Sequence, residues 1–100
     1  MTLRVRFTPE AEADLVEAFT WYEEAQRWLG SQFLDAVEEE LSRLADWPEA
    51  SPAVHADVRR ALVRRFPYGV FYIVEANEAI VLGVFHARRD PRVWKRRIGN

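Results

Sequence analysis

Two neighbouring stretches decide the fold: Gly69-Val70-Phe71-Tyr72-Ile73-Val74-Glu75 and Ala79-Ile80-Val81-Leu82-Gly83-Val84-Phe85-His86. Both are rich in β-branched and aromatic residues, which favour a pleated, half-buried backbone. Ala76-Asn77-Glu78 between them is too short for anything but a hairpin turn, and Asn77 is the residue there that tolerates a left-handed backbone. Upstream, Val58 to Arg65 alternates. Val58, Arg60, Leu62 and Arg64 share one parity; Arg59, Ala61, Val63 and Arg65 share the other. Three sequential strands with short links predict an antiparallel meander. Leu3 to Phe7 also alternates, with Leu3, Val5 and Phe7 set against Arg4 and Arg6, and is expected to join the same sheet.

Between that first strand and the meander the period changes. Thr8-Pro9-Glu10 is a helix start: a capping hydroxyl, a proline suited to the first turn, and an acid at the positive helix end. Ala11, Leu15, Ala18, Tyr22 and Ala25 form an apolar stripe, with Phe19 beside it. Gly30 is expected to stop this helix, and Ser31 to cap the next. The second stripe is Phe33, Val37, Leu41 and Leu44; Glu38, Glu39 and Glu40 mark its wet side, and Pro48 ends it. The short connection predicts an antiparallel helical hairpin. Pro48 to Pro52 reads as a loop. Asp90-Pro91 opens a last helical turn anchored by Trp94. Trp47 and Trp94 are expected to be core or staple residues.

The fold class is therefore α+β, in the order β-α-α-β-β-β. An N-terminal strand and a helical hairpin pack on one face of a mainly antiparallel sheet, and a short C-terminal helical turn follows. Residues 1–100 make one domain, long enough for one modest core. The helices are expected to cover one sheet face and leave the other, or its rim, for function.

Composition excludes several chemistries. There is no cysteine, so disulfides and thiolate metal sites are ruled out. His55 and His86 are the only histidines, which gives no zinc pattern, and no cofactor or metal is expected. There is no glycine-rich phosphate loop and no serine nucleophile elbow. Charges interrupt every apolar stretch, so no membrane span is expected, and the N-terminus lacks the apolar run of a secretory signal. A cytoplasmic location fits this reading.

The net charge of −2 hides an asymmetry. Residues 1–50 carry twelve acids against four bases, while residues 51–100 carry four acids against ten bases. Thirteen of the fourteen bases are arginines, and nine of these follow Ser51: Arg59, Arg60, Arg64, Arg65, Arg88, Arg89, Arg92, Arg96 and Arg97. Arginine presents a flat, permanently charged fork for phosphate or carboxylate. Such a row binds a nucleic acid or an acidic peptide if it lies on one surface. It binds nothing if the paired arginines split across the sheet and meet the helical glutamates. His86, beside Arg88 and Arg89, is a candidate acid or base, with Arg65 or Arg88 holding developing charge on a phosphate; equally, it caps the strand end. Trp21 and Trp28, seven apart, are expected to share one helix face, as an interface anchor or as a cover for the Pro48–Pro52 loop.

The stretch Val58-Arg59-Arg60-Ala61-Leu62-Val63-Arg64-Arg65-Phe66-Pro67-Tyr68 through Tyr72, and the ending Phe85-His86-Ala87-Arg88-Arg89-Asp90-Pro91-Arg92-Val93-Trp94, resemble the ParE/RelE toxin superfamily. Ala13-Asp14-Leu15 resembles its first helix. The ending is closer to the ParE side. This resemblance implies a plasmid-stabilisation toxin of a type II toxin–antitoxin pair. It would arrest growth by poisoning DNA gyrase, and a cognate antitoxin would neutralise it in a hetero-oligomer. The target-facing residues would be Arg59, Arg65, His86, Arg88, Arg89 and Trp94. The antitoxin-facing residues would be Trp21, Trp28, Arg60 and Arg64. RelE-like members instead cleave messenger RNA on the ribosome, a reading in which His86 and Arg65 are catalytic; no tyrosine follows Tyr72 to assist them. A third reading is an inactive member that only binds its antitoxin.

Overall fold

The computed structural model describes residues 2–98. Of the expected domain and tail, Met1, Gly99 and Asn100 lie outside the described residues. The elements are β1 (Arg4–Phe7), α1 (Pro9–Ala25), α2 (Leu29–Asp46), β2 (Ala53–His55), β3 (Val58–Leu62), β4 (Tyr68–Glu75), β5 (Glu78–His86) and α3 (Pro91–Ile98). The sheet order is β1-β5-β4-β3-β2. β2 to β5 pair antiparallel, and β1 joins β5 in parallel, with Val5 opposite Ala79 and Phe7 opposite Val81. The expected α+β architecture is what the chain adopts. β2 is an extra edge strand in the stretch between the Pro48–Pro52 loop and β3, to which the sequence assigned no element, and β3 ends at Leu62, earlier than its alternation suggested.

α1 begins as the sequence predicts. The Thr8 hydroxyl accepts from the Ala11 N–H at 3.1 Å, and Pro9 opens the helix. Its end does not follow the prediction. α1 stops at Ala25, which is exposed, and Gly30 lies buried inside α2. Gly30 is needed for closeness: a Cβ there would stand 2.8 Å from both the ring and the carbonyl of Phe19, where the two helices cross. Ser31 is not the cap. Trp28 occupies the cap position with a left-handed backbone (φ 74°).

The main core lies between the hairpin and one sheet face, built from Tyr22, Phe33, Val37, Leu44, Val70, Tyr72 and Val81. Each large apolar side chain buried there contributes roughly 1.5–3 kcal/mol. Tyr72 is fully buried and still satisfied, because its hydroxyl donates to the Pro48 carbonyl at 2.6 Å. Two expectations about the core fail. Glu40 is buried, at 5% exposure, and its carboxylate meets Arg43 at 3.0 Å. Trp47 is 69% exposed, because α2 ends just before it and turns its ring away from the core.

The opposite sheet face is not left bare. α3 is a two-turn helix, longer than the expected single turn, and lays Trp94 on Phe71 with ring centres 4.9 Å apart. Val58, Phe71, Phe85 and Trp94 form a second buried cluster, flanked by Val54, Ile73, Leu82 and Ile98. Trp94 thus fixes the tail, as expected. In the β4–β5 turn it is Ala76, not Asn77, that takes the left-handed backbone (φ 52°). The Asn77 carbonyl is instead used to accept from the Arg4 N–H at 3.2 Å, which anchors β1.

Candidate functional site

Two turns meet at one end of the sheet. The β3–β4 turn carries Arg64 and Arg65, and the β5–α3 turn carries Arg88 and Arg89. The Ala87 N–H donates to the Pro67 carbonyl at 2.6 Å, tying the turns side by side. Tyr68 pairs with His86 across the sheet, their rings edge to face with centres 5.2 Å apart. Arg64, Arg65, Arg88 and Arg89 are all exposed, and among the described residues none of them makes an ion pair with a carboxylate. Arg60 approaches the same end from the α3 side, its side chain packed over Gly69. Arg89 and Arg60 each line a cleft with His86, while Arg64, Arg65 and Arg88 sit on the two joined turns at the same end, Arg64 near enough to Glu40 to pull on its carboxyl.

The remaining basic residues do other work. Arg59 points to the hairpin side at the far end of β3, and its guanidinium donates to the Ser51 and Glu49 carbonyls at 2.6 and 3.3 Å. It staples the β2 approach and does not join the cluster. Arg92 is held by Asp90 at 2.8 Å, and Arg97 by Asp14 at 2.6 Å. The Arg92 guanidinium keeps the Asp90 carboxyl below its usual range, chiefly through the side-chain hydrogen bond. Strand parity thus splits Arg59 from Arg60, while the turns bring the later pairs together.

His86 stands on a ridge between two clefts. On the α1 side, a cleft of about 530 Å³ is lined by Glu17, Trp21, Tyr22, Tyr68, His86 and Arg89, among others. On the α3 side, a smaller one of about 290 Å³ is lined by Arg60, Leu62, Phe71, Phe85, His86 and Trp94. Nδ1 of His86 accepts from the Arg88 N–H at 3.0 Å, so the neutral ring carries its proton on Nε2. Burial pushes the Tyr68 phenol upward, and Tyr22 and Glu17 add to the rise, while Arg89 opposes it. Tyr68 therefore presents a neutral hydroxyl as a donor. Arg65 holds a left-handed backbone (φ 69°), a conformation that costs a non-glycine residue about 1–2 kcal/mol. A separate open hollow of about 790 Å³ between β1 and α2 is lined by Asp35, Glu38, Glu39 and Asp46 and carries the opposite charge. Among the described residues, no three acidic, histidine or cysteine side chains are placed to hold a metal ion, and no helix is long and apolar enough to cross a membrane.

Trp21 and Trp28 do not share a helix face, because α1 ends between them. Both are exposed, at 64% and 61%; Trp21 walls the larger cleft, and Arg27 stacks on Trp28 with 5.1 Å to the ring centre. Trp94 is buried beneath the surface that its turn presents. Sequence reasoning passed over Glu17, and gave no role to Asp14 or Tyr68, which it met only inside the motifs of the resemblance. Asp14 carried a signal: it lies among Ala11, Leu15 and Ala18, a charge placed on an otherwise apolar stripe.

Exposed guanidinium groups on two joined turns, over a helical hairpin and a five-stranded sheet, mark a small α+β domain with one basic end. The family model of the ParE toxin of type II toxin–antitoxin systems (parDE) matches residues 5–91, and the chain belongs to that family. Among solved structures, it is similar to a chain of the chromosomal ParDE toxin–antitoxin system of P. aeruginosa. That likeness has a TM-score of 0.73 and 19% identity, covering 85% of this chain and 96% of that one. It is also similar to a chain of the RelBE2 toxin–antitoxin complex of Mycobacterium tuberculosis, with a TM-score of 0.65 and 25% identity over 86% of this chain and 99% of that one. No curated protein matches the sequence.

Proposed function

We propose that this chain arrests bacterial growth by binding and poisoning DNA gyrase, and that a cognate antitoxin neutralises it in the cytoplasm. The observation that carries this reading is the cluster of Arg64, Arg65, Arg88 and Arg89, exposed and without ion pairs among the described residues, on turns locked together by the Ala87–Pro67 hydrogen bond. Charged forks held on rigid turns suit capture of an acidic or phosphate-bearing partner at little entropic cost. Arg65, His86, Arg88 and Arg89 face the target in this reading, and Trp94 supports them from beneath. Arg59 stands apart from them. Trp21 and Trp28 are exposed aromatic anchors for the antitoxin, the residue type that dominates binding hot spots. Arg60 and Arg64 flank the same end and complement an acidic antitoxin segment. Toxin and antitoxin then form a hetero-oligomer.

Induction of the chain without its antitoxin tests the reading. Growth arrest with relaxed plasmid and intact messages is expected. Breaks at codon-linked positions, mapped by primer extension, would overturn it in favour of an endoribonuclease using His86 and Arg65. Unaffected growth would leave a family member that only binds its antitoxin.

A further inference from the structure

β5 does not run evenly along its neighbour. Opposite Phe71 stands Gly83, and opposite Tyr72 stands Val81, so Leu82 is an extra residue bulged out of the pairing. On the other side of β5, pairing with β1 stops at Val81. The Val84 N–H therefore points to an edge that no strand covers. Asp14 of α1 covers it: Oδ2 accepts from the Val84 N–H at 3.0 Å. The same carboxylate takes the Arg97 fork of α3, with Oδ2 to Nη1 at 2.6 Å and Oδ1 to Nη2 at 3.1 Å. Arg97 also lies over the Phe85 ring, 4.7 Å from its centre. The Asp14 and Arg97 side chains are 15% and 30% exposed, so this pair is shielded where an ordinary surface pair is wet.

The consequence is geometric. Val84 lies two residues before His86, and Arg97 closes the helix that follows Arg88 and Arg89. One carboxylate on α1 thus holds both ends of the segment that carries the toxic turn. We infer that Asp14 is a positioning residue: by gripping the Val84 amide and the Arg97 guanidinium together, it sets where His86, Arg88 and Arg89 stand. The inference rests on the proposed target-binding role of that turn. It also gives the first-helix motif Ala13-Asp14-Leu15 a task that helix packing alone does not require.

Three variants test it: Asp14→Ala, Asp14→Asn and Arg97→Gln. Asp14→Ala removes both grips, so Val84 amide exchange should quicken by about tenfold or more, and growth arrest should be lost. Asp14→Asn keeps an oxygen for Val84 but loses the charge that holds Arg97. It should keep the amide protected and weaken growth arrest in step with Arg97→Gln. Glu23→Ala, a comparably destabilised variant away from the turn, should still arrest growth, which separates positioning from loss of stability.

An unchanged Val84 amide in Asp14→Ala overturns the inference. So does a freed amide with undiminished growth arrest. If Asp14→Ala fails to fold, Arg97→Gln decides by the same toxicity reading. If the wild-type chain itself does not arrest growth, the functional proposal falls. The positioning claim is then judged on the Arg88 and Arg89 amides in Asp14→Ala: faster exchange supports it, and unchanged exchange overturns it.

Discussion

Glu23 caps the helix that follows its own, and Gly30 receives one of its two oxygens. Oε1 accepts from the Gly30 N–H at 3.0 Å and Oε2 from the Trp28 N–H at 2.9 Å. No side chain of the linker itself caps α2, since Trp28 offers no acceptor. A carboxylate from the last turns of α1 therefore satisfies two donors that the start of α2 would leave open, and favours the positive end of that helix. Loss of a cap costs about 0.5–2 kcal/mol. Glu23→Ala should lower the urea midpoint accordingly without changing the slope, while Glu23→Gln, which keeps one acceptor, should lose less.

Gly83→Ala tests the second core. A Cβ there would run into the Phe85 ring, and Phe85 packs against Phe71, which carries Trp94. The ring must move, and α3 must move with it. Overpacking of this kind costs about 1–3 kcal/mol. Thermal unfolding should report that loss, and the near-ultraviolet tryptophan signal should shift in the native state.

The β4–β5 turn offers a gain. Ala76 holds φ 52°, where a Cβ costs about 1–2 kcal/mol and glycine pays nothing of that. Glycine loses roughly 0.5–1 kcal/mol through its freer unfolded chain. Ala76→Gly should therefore be neutral to stabilising by about 0.5 kcal/mol, whereas Asn77→Gly, changed at a residue with no positive φ, should only destabilise. Parallel urea melts of the two variants decide it.

What the sequence made legible followed from periodicity and local caps. The β-branched and aromatic runs within residues 69–86 and the stripe from Ala11 to Tyr22 place the sheet and the first helix, and Thr8-Pro9 places its start. The α1–α2 junction was misread because its determinants are not local. Gly30 looked like a stop but is the small residue that a helix crossing against Phe19 demands. The cap arrives from Glu23, seven positions back. α3 was underestimated because its value lies in burying Trp94 on Phe71, a long-range contact with no pattern of its own. The candidate site was half legible: parity correctly separated Arg59 from Arg60, and the resemblance singled out the two arginine turns. The pairing of Tyr68 with His86 sets those turns at one end of the sheet, and the Ala87–Pro67 bond, which no spacing rule announces, ties them side by side.

Glu40 should make stability depend on pH. Burial pushes its carboxyl above the ordinary range, against the opposing pull of Arg43 and Arg64. A carboxyl with a raised value in the folded state stabilises most when protonated in both states. That contribution is lost as pH rises from the ordinary glutamate range through the higher folded value. Urea midpoints followed from acid to neutral pH should fall across that window for the wild-type chain. Glu40→Gln cannot ionise, so its curve should lack the fall and gain on the wild type as pH rises. Parallel curves for the two proteins would show that Arg43 and Arg64 fully offset the burial.

The proposed target-binding surface is tested by removing its charge while keeping the backbone bonds of its turn. The Arg88 and Arg89 side chains are exposed and make no ion pair among the described residues, while the backbone of their turn is fixed by bonds from the Arg88 N–H to His86 Nδ1 and from the Arg89 N–H to the His86 carbonyl. Replacing both with glutamine keeps those backbone bonds. Surface substitutions of this sort change stability by about 0.5 kcal/mol or less. Induced without antitoxin, the double variant should no longer arrest growth, although its unfolding transition matches that of the parent. Arg59→Gln should behave in the opposite way. It loses the staple to Ser51 and Glu49, lowers stability by about 1 kcal/mol, and still arrests growth, because that guanidinium lies at the other end of β3. Full toxicity in the Arg88 and Arg89 variant, or its loss in Arg59→Gln at preserved stability, would place the target-binding surface elsewhere on the sheet.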